Sequence, residues 1–154
     1  MKVFIDTEFT DFVDPHLISI GMVGERDELF YAEVPFPESA ASDFVRRVVM
    51  PLLGQHPGAA MTRGELRPAI VEWLEKIRAG GEVEVCHDYA GDWDLFRDAL
   101  GGEVPSWCRP RHVGRDINKL LVYQFHAQEG LAEHHALNDA MANRFAYARR
   151  KAFR

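Results

Sequence analysis

Asp6-Thr7-Glu8 sets two carboxylates two positions apart at the end of a short apolar run, Val3-Phe4-Ile5. Side chains alternate along an extended chain, so Asp6 and Glu8 point to one side. Two carboxylates held together repel each other unless positive charge lies between them. Mg²⁺ or Mn²⁺ is the natural partner for such oxygen ligands. The plain alternative is a solvated pair at a strand end, since composition alone yields on the order of one Asp-x-Glu triplet in a chain of this size.

A second group is His134-His135-Ala136-Leu137-Asn138-Asp139-Ala140. The spacing predicts His134 on the loop entering a helix and Asp139 in that helix's second turn. A histidine so placed reaches the space beside the aspartate, and a neutral imidazole there can take a proton from water near neutral pH. The spacing alone is weakly specific, because His87 and Asp92 repeat it. Ala136, Ala140 and Ala142 would let the helix approach a sheet closely, although alanine is also the best helix former.

The third group lies in Val85-Cys86-His87-Asp88-Tyr89-Ala90-Gly91-Asp92-Trp93-Asp94-Leu95-Phe96. A β-prone run ends, a polar loop follows, and an acidic residue opens an amphipathic helix. Asp92 can cap that helix and Asp94 can stabilise its positive end. Asp88 is a third candidate in the same segment.

These groups need elements to position them. The pattern predicts strands over 2–7, 17–23 and 29–34 with short links, an antiparallel meander. A helix is expected from Ala40 to about Leu53. Thr62 and Glu65 form a capping box for the next helix, whose Leu66, Ile70, Trp73, Leu74 and Ile77 follow the helical period until Gly80-Gly81 ends it. Val83 to Cys86 reads as a fourth strand, 92–100, 116–126 and 136–151 as helices, and 105–110 as a loop. That order gives an α/β fold with a mixed sheet flanked by helices, in a single domain over residues 1–154.

With 154 residues the chain can bury one real core. No apolar run approaches the ~18 residues of a membrane span. Met1-Lys2-Val3-Phe4-Ile5-Asp6 meets a charge too early for a signal peptide, so a cytoplasmic location and reduced Cys86 and Cys108 are expected. The net charge of −6 excludes a binder that works by phosphate neutralisation alone. It is compatible with carboxylates gathered around divalent cations that face a phosphate.

Taken in order and separation, the three groups resemble the exonuclease motifs of the DEDDh branch of the DnaQ-like, ribonuclease-H-like superfamily. The first is Phe4-Ile5-Asp6-Thr7-Glu8-Phe9, the second surrounds His87 to Phe96, and the third is His134 followed by Asp139-Ala140. The opening and the compact length most resemble the small single-domain mycobacterial-type exoribonucleases. The likeness sits in roughly 30 motif residues, and the order of elements extends it over most of the chain. It implies a 3′→5′ exonuclease acting on RNA or DNA 3′ ends, with exoribonuclease activity favoured, and releasing nucleoside 5′-monophosphates. Two Mg²⁺ or Mn²⁺ ions would be held by Asp6, Glu8, Asp92 and Asp139, with His134 as general base. Thr7 and Phe9 match positions that contact the terminal nucleotide. A homodimer is carried over as an expectation. The second motif departs from the pattern: many relatives have His-Asn where this chain has His87-Asp88, and Asp94 is an alternative to Asp92 as the third acid.

Other features have weaker readings. Cys86, His87, Cys108 and His112 are zinc-ligand types, but Cys86 and His87 adjoin on a strand and point apart. Arg109, Arg111 and Arg115 form a basic group suited to a phosphate backbone. Arg144, Arg149, Arg150, Lys151 and Arg154 fit an ordinary solvated helix end as well. Trp73, Trp93 and Trp107 read as packing residues. The same acids would also serve a nucleotide pyrophosphatase or a short-oligonucleotide hydrolase, and a non-catalytic nucleic-acid-binding module is the alternative outside enzymology. An endonuclease with a ribonuclease-H-like site fits His134 less well.

Overall fold

The computed structural model describes the backbone of residues 1–152 and the side chains of residues 1–147. Arg149, Arg150, Lys151 and Arg154 of the second basic group thus have side chains outside the described residues.

A five-stranded mixed sheet forms the middle layer. Its strands are β1 (Lys2–Phe9), β2 (Leu17–Gly24), β3 (Leu29–Glu33), β4 (Val83–His87) and β5 (Cys108–His112), in the order β3-β2-β1-β4-β5. β1, β2 and β3 are the expected antiparallel meander, and β4 and β5 add parallel to β1. β2 is buried along its whole length, as its continuous apolar run requires.

Helices cover both faces. Helices α1 (Arg63–Arg78) and α2 (Ala90–Ala99) pack on one side, where Leu66, Ile70, Leu74 and Phe96 meet Val3, Ile5, Ile20 and Val85. Helices α3 (Lys119–Glu129) and α4 (Ala136–Ala152) cover the other, where Ala140, Ala146 and Tyr147 meet Phe4, Val23 and Cys86. The capping box at Thr62 and Glu65 is present. The three tryptophans pack against the first of these cores. Cys86 and Cys108 are free and buried, and burial pushes both thiols up to about 12.

Four expectations about elements need correction. The helix expected over 40–53 is broken into a 3₁₀ turn at Glu38–Ala40, a π-helical stretch at Val45–Val49 and a second 3₁₀ turn at Met50–Leu52. Pro51 lacks the N–H that would continue the ladder and its ring crowds the preceding turn. The loop expected over 105–110 instead runs into β5; Pro110 lies within that strand, and β5 is an edge of the sheet, where proline is tolerated. Helix α2 starts at Ala90 rather than Asp92, and α3 starts at Lys119 rather than Asp116, capped by the Asn118 side chain.

Candidate active site

β1 pairs with β4 only as far as Phe4↔Cys86, while β2 accompanies it to Phe9. Beyond Phe4, the β4 side of the strand has no ladder partner. Alternation divides the residues of this free stretch between two faces. Asp6 and Glu8 follow Phe4 onto the face covered by α4, and Thr7 follows Ile5 onto the face of α2.

Asp92 takes the place of the missing strand. Its Oδ1 accepts the Thr7 backbone N–H at 3.2 Å and the Thr7 hydroxyl at 2.7 Å. It is 2% exposed, and its Oδ2 has no partner among the described residues. The alternative of a helix cap at Asp92 is not realised: Tyr89 occupies the cap position and Asp92 lies within the first turn. Asp94 is turned to solvent, 3.8 Å from Arg97.

α4 brings the third group. Asp139 lies in its first turn rather than its second. The start of α4 lies over Gly21, which is paired with Asp6 across the sheet. A Cβ at Gly21 would collide with the backbone of Ala136 and Leu137. Ala136, Ala140 and Ala142 are fully buried, consistent with the close approach expected of them.

His134 adopts a left-handed backbone, with φ of 61°. That conformation is uncommon for a residue with a side chain and concentrates at functional sites. Here the turn lets the His134 N–H donate to Asp139 Oδ2 at 3.0 Å. Ligand-type atoms of Glu8, His134 and Asp139 all lie within 4.8 Å of one another, as do those of Asp6, Asp88 and Asp92. The Phe44 ring meets the imidazole edge-on at 4.9 Å.

Sequence reasoning missed His126. It is buried on α3, with Nδ1 3.1 Å from the Leu131 carbonyl, which fixes that nitrogen as the N–H. Its Nε2 lies 3.1 Å from Asp139 Oδ1, off the line of a regular hydrogen bond. No motif marks a single histidine near the end of a helix. Gly21 was legible in principle, because a glycine inside a strand signals a close backbone approach.

The carboxyls of Asp6, Glu8, Asp92 and Asp139 are all pushed up. Burial is the first cause for Asp6, followed by the charges of Asp92, Asp139 and Glu8, and its pKa rises well above the usual range. Burial, then Asp139 and Asp92, raise Glu8 to about 8. Burial raises Asp92 to about 7 although the Thr7 bonds oppose it, and raises Asp139 to about 6 against the pull of His126. Four acids, Asp92 buried and the others partly buried, with this much mutual repulsion fit divalent cations, and the Asp92 Oδ2 offers an oxygen that no other described residue satisfies.

The acids open into a cleft of about 670 Å³, large enough for a nucleotide. Its apolar wall is an aromatic trio: Phe9 stacks on Tyr89 at 5.9 Å, and Phe12 sits edge-on to both. Phe12 is 74% exposed, so a large apolar face is offered to the cleft mouth. Thr7 also lines the cleft, but its hydroxyl is already given to Asp92. Of the basic groups, Arg109 pairs with Glu82, Arg111 with Glu84, and Arg144 with Asp27; neither Arg109, Arg111 nor Arg115 lines the cleft.

The same arrangement of sheet and helices occurs in a solved structure described as the nuclease domain of 3′hExo, a DEDDh family member, bound to rAMP. The match has a TM-score of 0.65 at 14% identity and covers 99% of this chain and 92% of that one. The chain has the fold of a DEDDh nuclease domain. No family model matches it, and no curated protein matches it in sequence. No helix among the described residues is long and apolar enough to cross a membrane.

Proposed function

We propose that this protein is a metal-dependent 3′→5′ exonuclease, acting on single-stranded or 3′-overhanging RNA in preference to DNA and releasing nucleoside 5′-monophosphates. The observation that carries the reading is the convergence of Asp6, Glu8, Asp92 and Asp139 with His134 on one cleft, on this fold. The rAMP named with the structural neighbour is a nucleoside monophosphate of the kind the reaction would release.

Asp6, Glu8 and Asp139 would hold one Mg²⁺ or Mn²⁺ ion, and Asp6 with Asp92 a second. Bound there, the ions supply the positive charge that faces the scissile phosphate and acidify the attacking water. His134 takes the proton from that water, its ring set beside Glu8 and Asp139 by the left-handed turn. Phe9, Phe12 and Tyr89 take the terminal base by stacking, which tolerates any base. Thr7 keeps Asp92 aimed at β1. The motif resemblance adds a single domain across the chain, a place in the mycobacterial-type branch, a homodimeric state and a cytoplasmic location to the same reading.

The test is a time course with 5′-labelled RNA and DNA of equal sequence, in Mg²⁺, Mn²⁺ or EDTA, beside Asp6→Ala. A metal-dependent ladder shortening from the 3′ end, absent in the variant, is the expected result. No cleavage of either strand under any metal would overturn the reading and shift weight to small-nucleotide hydrolysis or binding.

A further inference from the structure

Asp88 is the fifth carboxylate at this site. It follows the last residue of β4, and its side chain is largely covered. Its Oδ1 accepts the Asn143 side-chain N–H at 3.1 Å, and its Oδ2 lies 2.7 Å from Lys119 Nζ. Oxygens of Asp6, Asp88 and Asp92 come within 4.8 Å of one another.

Two independent features say that this trio faces a cation. Asp92 belongs to the trio, is 2% exposed, and has an Oδ2 with no partner among the described residues, a costly arrangement for a buried carboxylate that a cation would relieve. Lys119 is the first residue of α3, where the helix dipole disfavours a cation. Its charge there answers the acidic cluster instead of the helix.

We propose that Asp88 is a fifth carboxylate of the metal centre, acting with Asp6 and Asp92 on one divalent cation, with Lys119 as the counter-charge that the cation competes against. Resting on the proposed metal-dependent function, it adds an acid beyond the four that function requires. Asn143 holds the Asp88 carboxylate in register while Lys119, mostly exposed on a flexible stem, is free to yield it.

The two substitutions that test it act in opposite directions. Asp88→Asn keeps one oxygen acceptor, which can serve Asn143 or Lys119 but not both, and removes the charge. Lys119→Met keeps the apolar stem and removes the competing cation. Mn²⁺ binding to the full-length protein, followed by the electron spin resonance of free Mn²⁺, should weaken roughly tenfold or more at one site in Asp88→Asn. It should strengthen by about two- to fivefold in Lys119→Met. If Asp88 and Lys119 only tie β4 to the helices, Asp88→Asn binds Mn²⁺ as the wild type does and Lys119→Met binds no more tightly; either result overturns the proposal. Thermal unfolding in EDTA shows whether Asp88→Asn is folded, and if it is not, Lys119→Met decides. Wild-type protein that binds no Mn²⁺ would overturn the metal reading as a whole. Wild-type binding that is lost in Asp6→Asn but unchanged in Asp88→Asn would overturn this inference alone.

Discussion

The Thr7 hydroxyl donates to Asp92 Oδ1 at 2.7 Å, joining residues 85 positions apart in sequence. The bond favours the charged form of a carboxyl that burial otherwise pushes up. Thr7→Val preserves shape and removes that donor. It should cost about 1–3 kcal/mol of stability and weaken Mn²⁺ binding by roughly 10–100-fold. The loss should be larger at pH 6.5 than at pH 8.5, because the ion must then displace a more firmly held proton. Calorimetric titration at both pH values checks this, and equal affinities for variant and wild type would sink it.

His134 sits at a positive φ, so the choice of substitution matters. Asparagine tolerates that backbone and lacks a group that titrates near neutral pH. His134→Asn should unfold within about 0.5 kcal/mol of the wild type yet turn over about 10²–10⁴-fold more slowly. His134→Ala should show the same rate loss with an added instability of about 1–2 kcal/mol. Near wild-type turnover in His134→Asn would remove the histidine from the role of base.

The raised carboxyls make stability depend on pH in an unusual direction. Glu8 near 8, Asp92 near 7, Asp139 near 6 and the strongly raised Asp6 keep protons in the folded protein that the unfolded chain, at its ordinary carboxyl values of about 4, has already released. The folded state binds more protons across this window, so stability falls as pH rises from about 4 to about 8. In EDTA the melting temperature should therefore drop steadily between pH 5 and pH 8. Saturating Mn²⁺ should abolish or reverse the trend, since cations bind the deprotonated acids. A flat EDTA series would refute the assignment of these shifts.

Gly21→Ala tests the approach of α4. The new methyl group would meet helix backbone, which cannot step aside as a flexible side chain can. A loss of about 1–3 kcal/mol is expected from overpacking, with a larger proportional loss of Mn²⁺ affinity because Asp139 rides on the displaced helix. Unaltered stability and affinity together would show that the contact is loose.

How much of this was legible in the sequence differs residue by residue. Asp6 and Glu8 were readable because strand alternation is a local property of the chain. The meander was readable because its links are short. Asp92 was readable as an acid, with a helix cap as the plain alternative, but its bond to Thr7 was not, since Thr7 is brought to it only by the parallel pairing of β1 and β4. Val45 and Val49 have helical spacing, yet Pro51 decides the geometry of the segment that carries Phe44. β5 was hidden by Pro110, whose compatibility with a strand depends on that strand lying at the sheet edge. His126 and Lys119 reach the site from α3 through tertiary packing, and no local pattern encodes that.

The central position of β1 has a consequence for the life of the chain. In chain order the strand carrying Asp6 and Glu8 precedes the helix carrying Asp139, with the other four strands between them. On the proposed function, no nascent fragment that still lacks α4 can cut, so a polypeptide growing beside messenger and ribosomal RNA stays harmless until that helix has emerged.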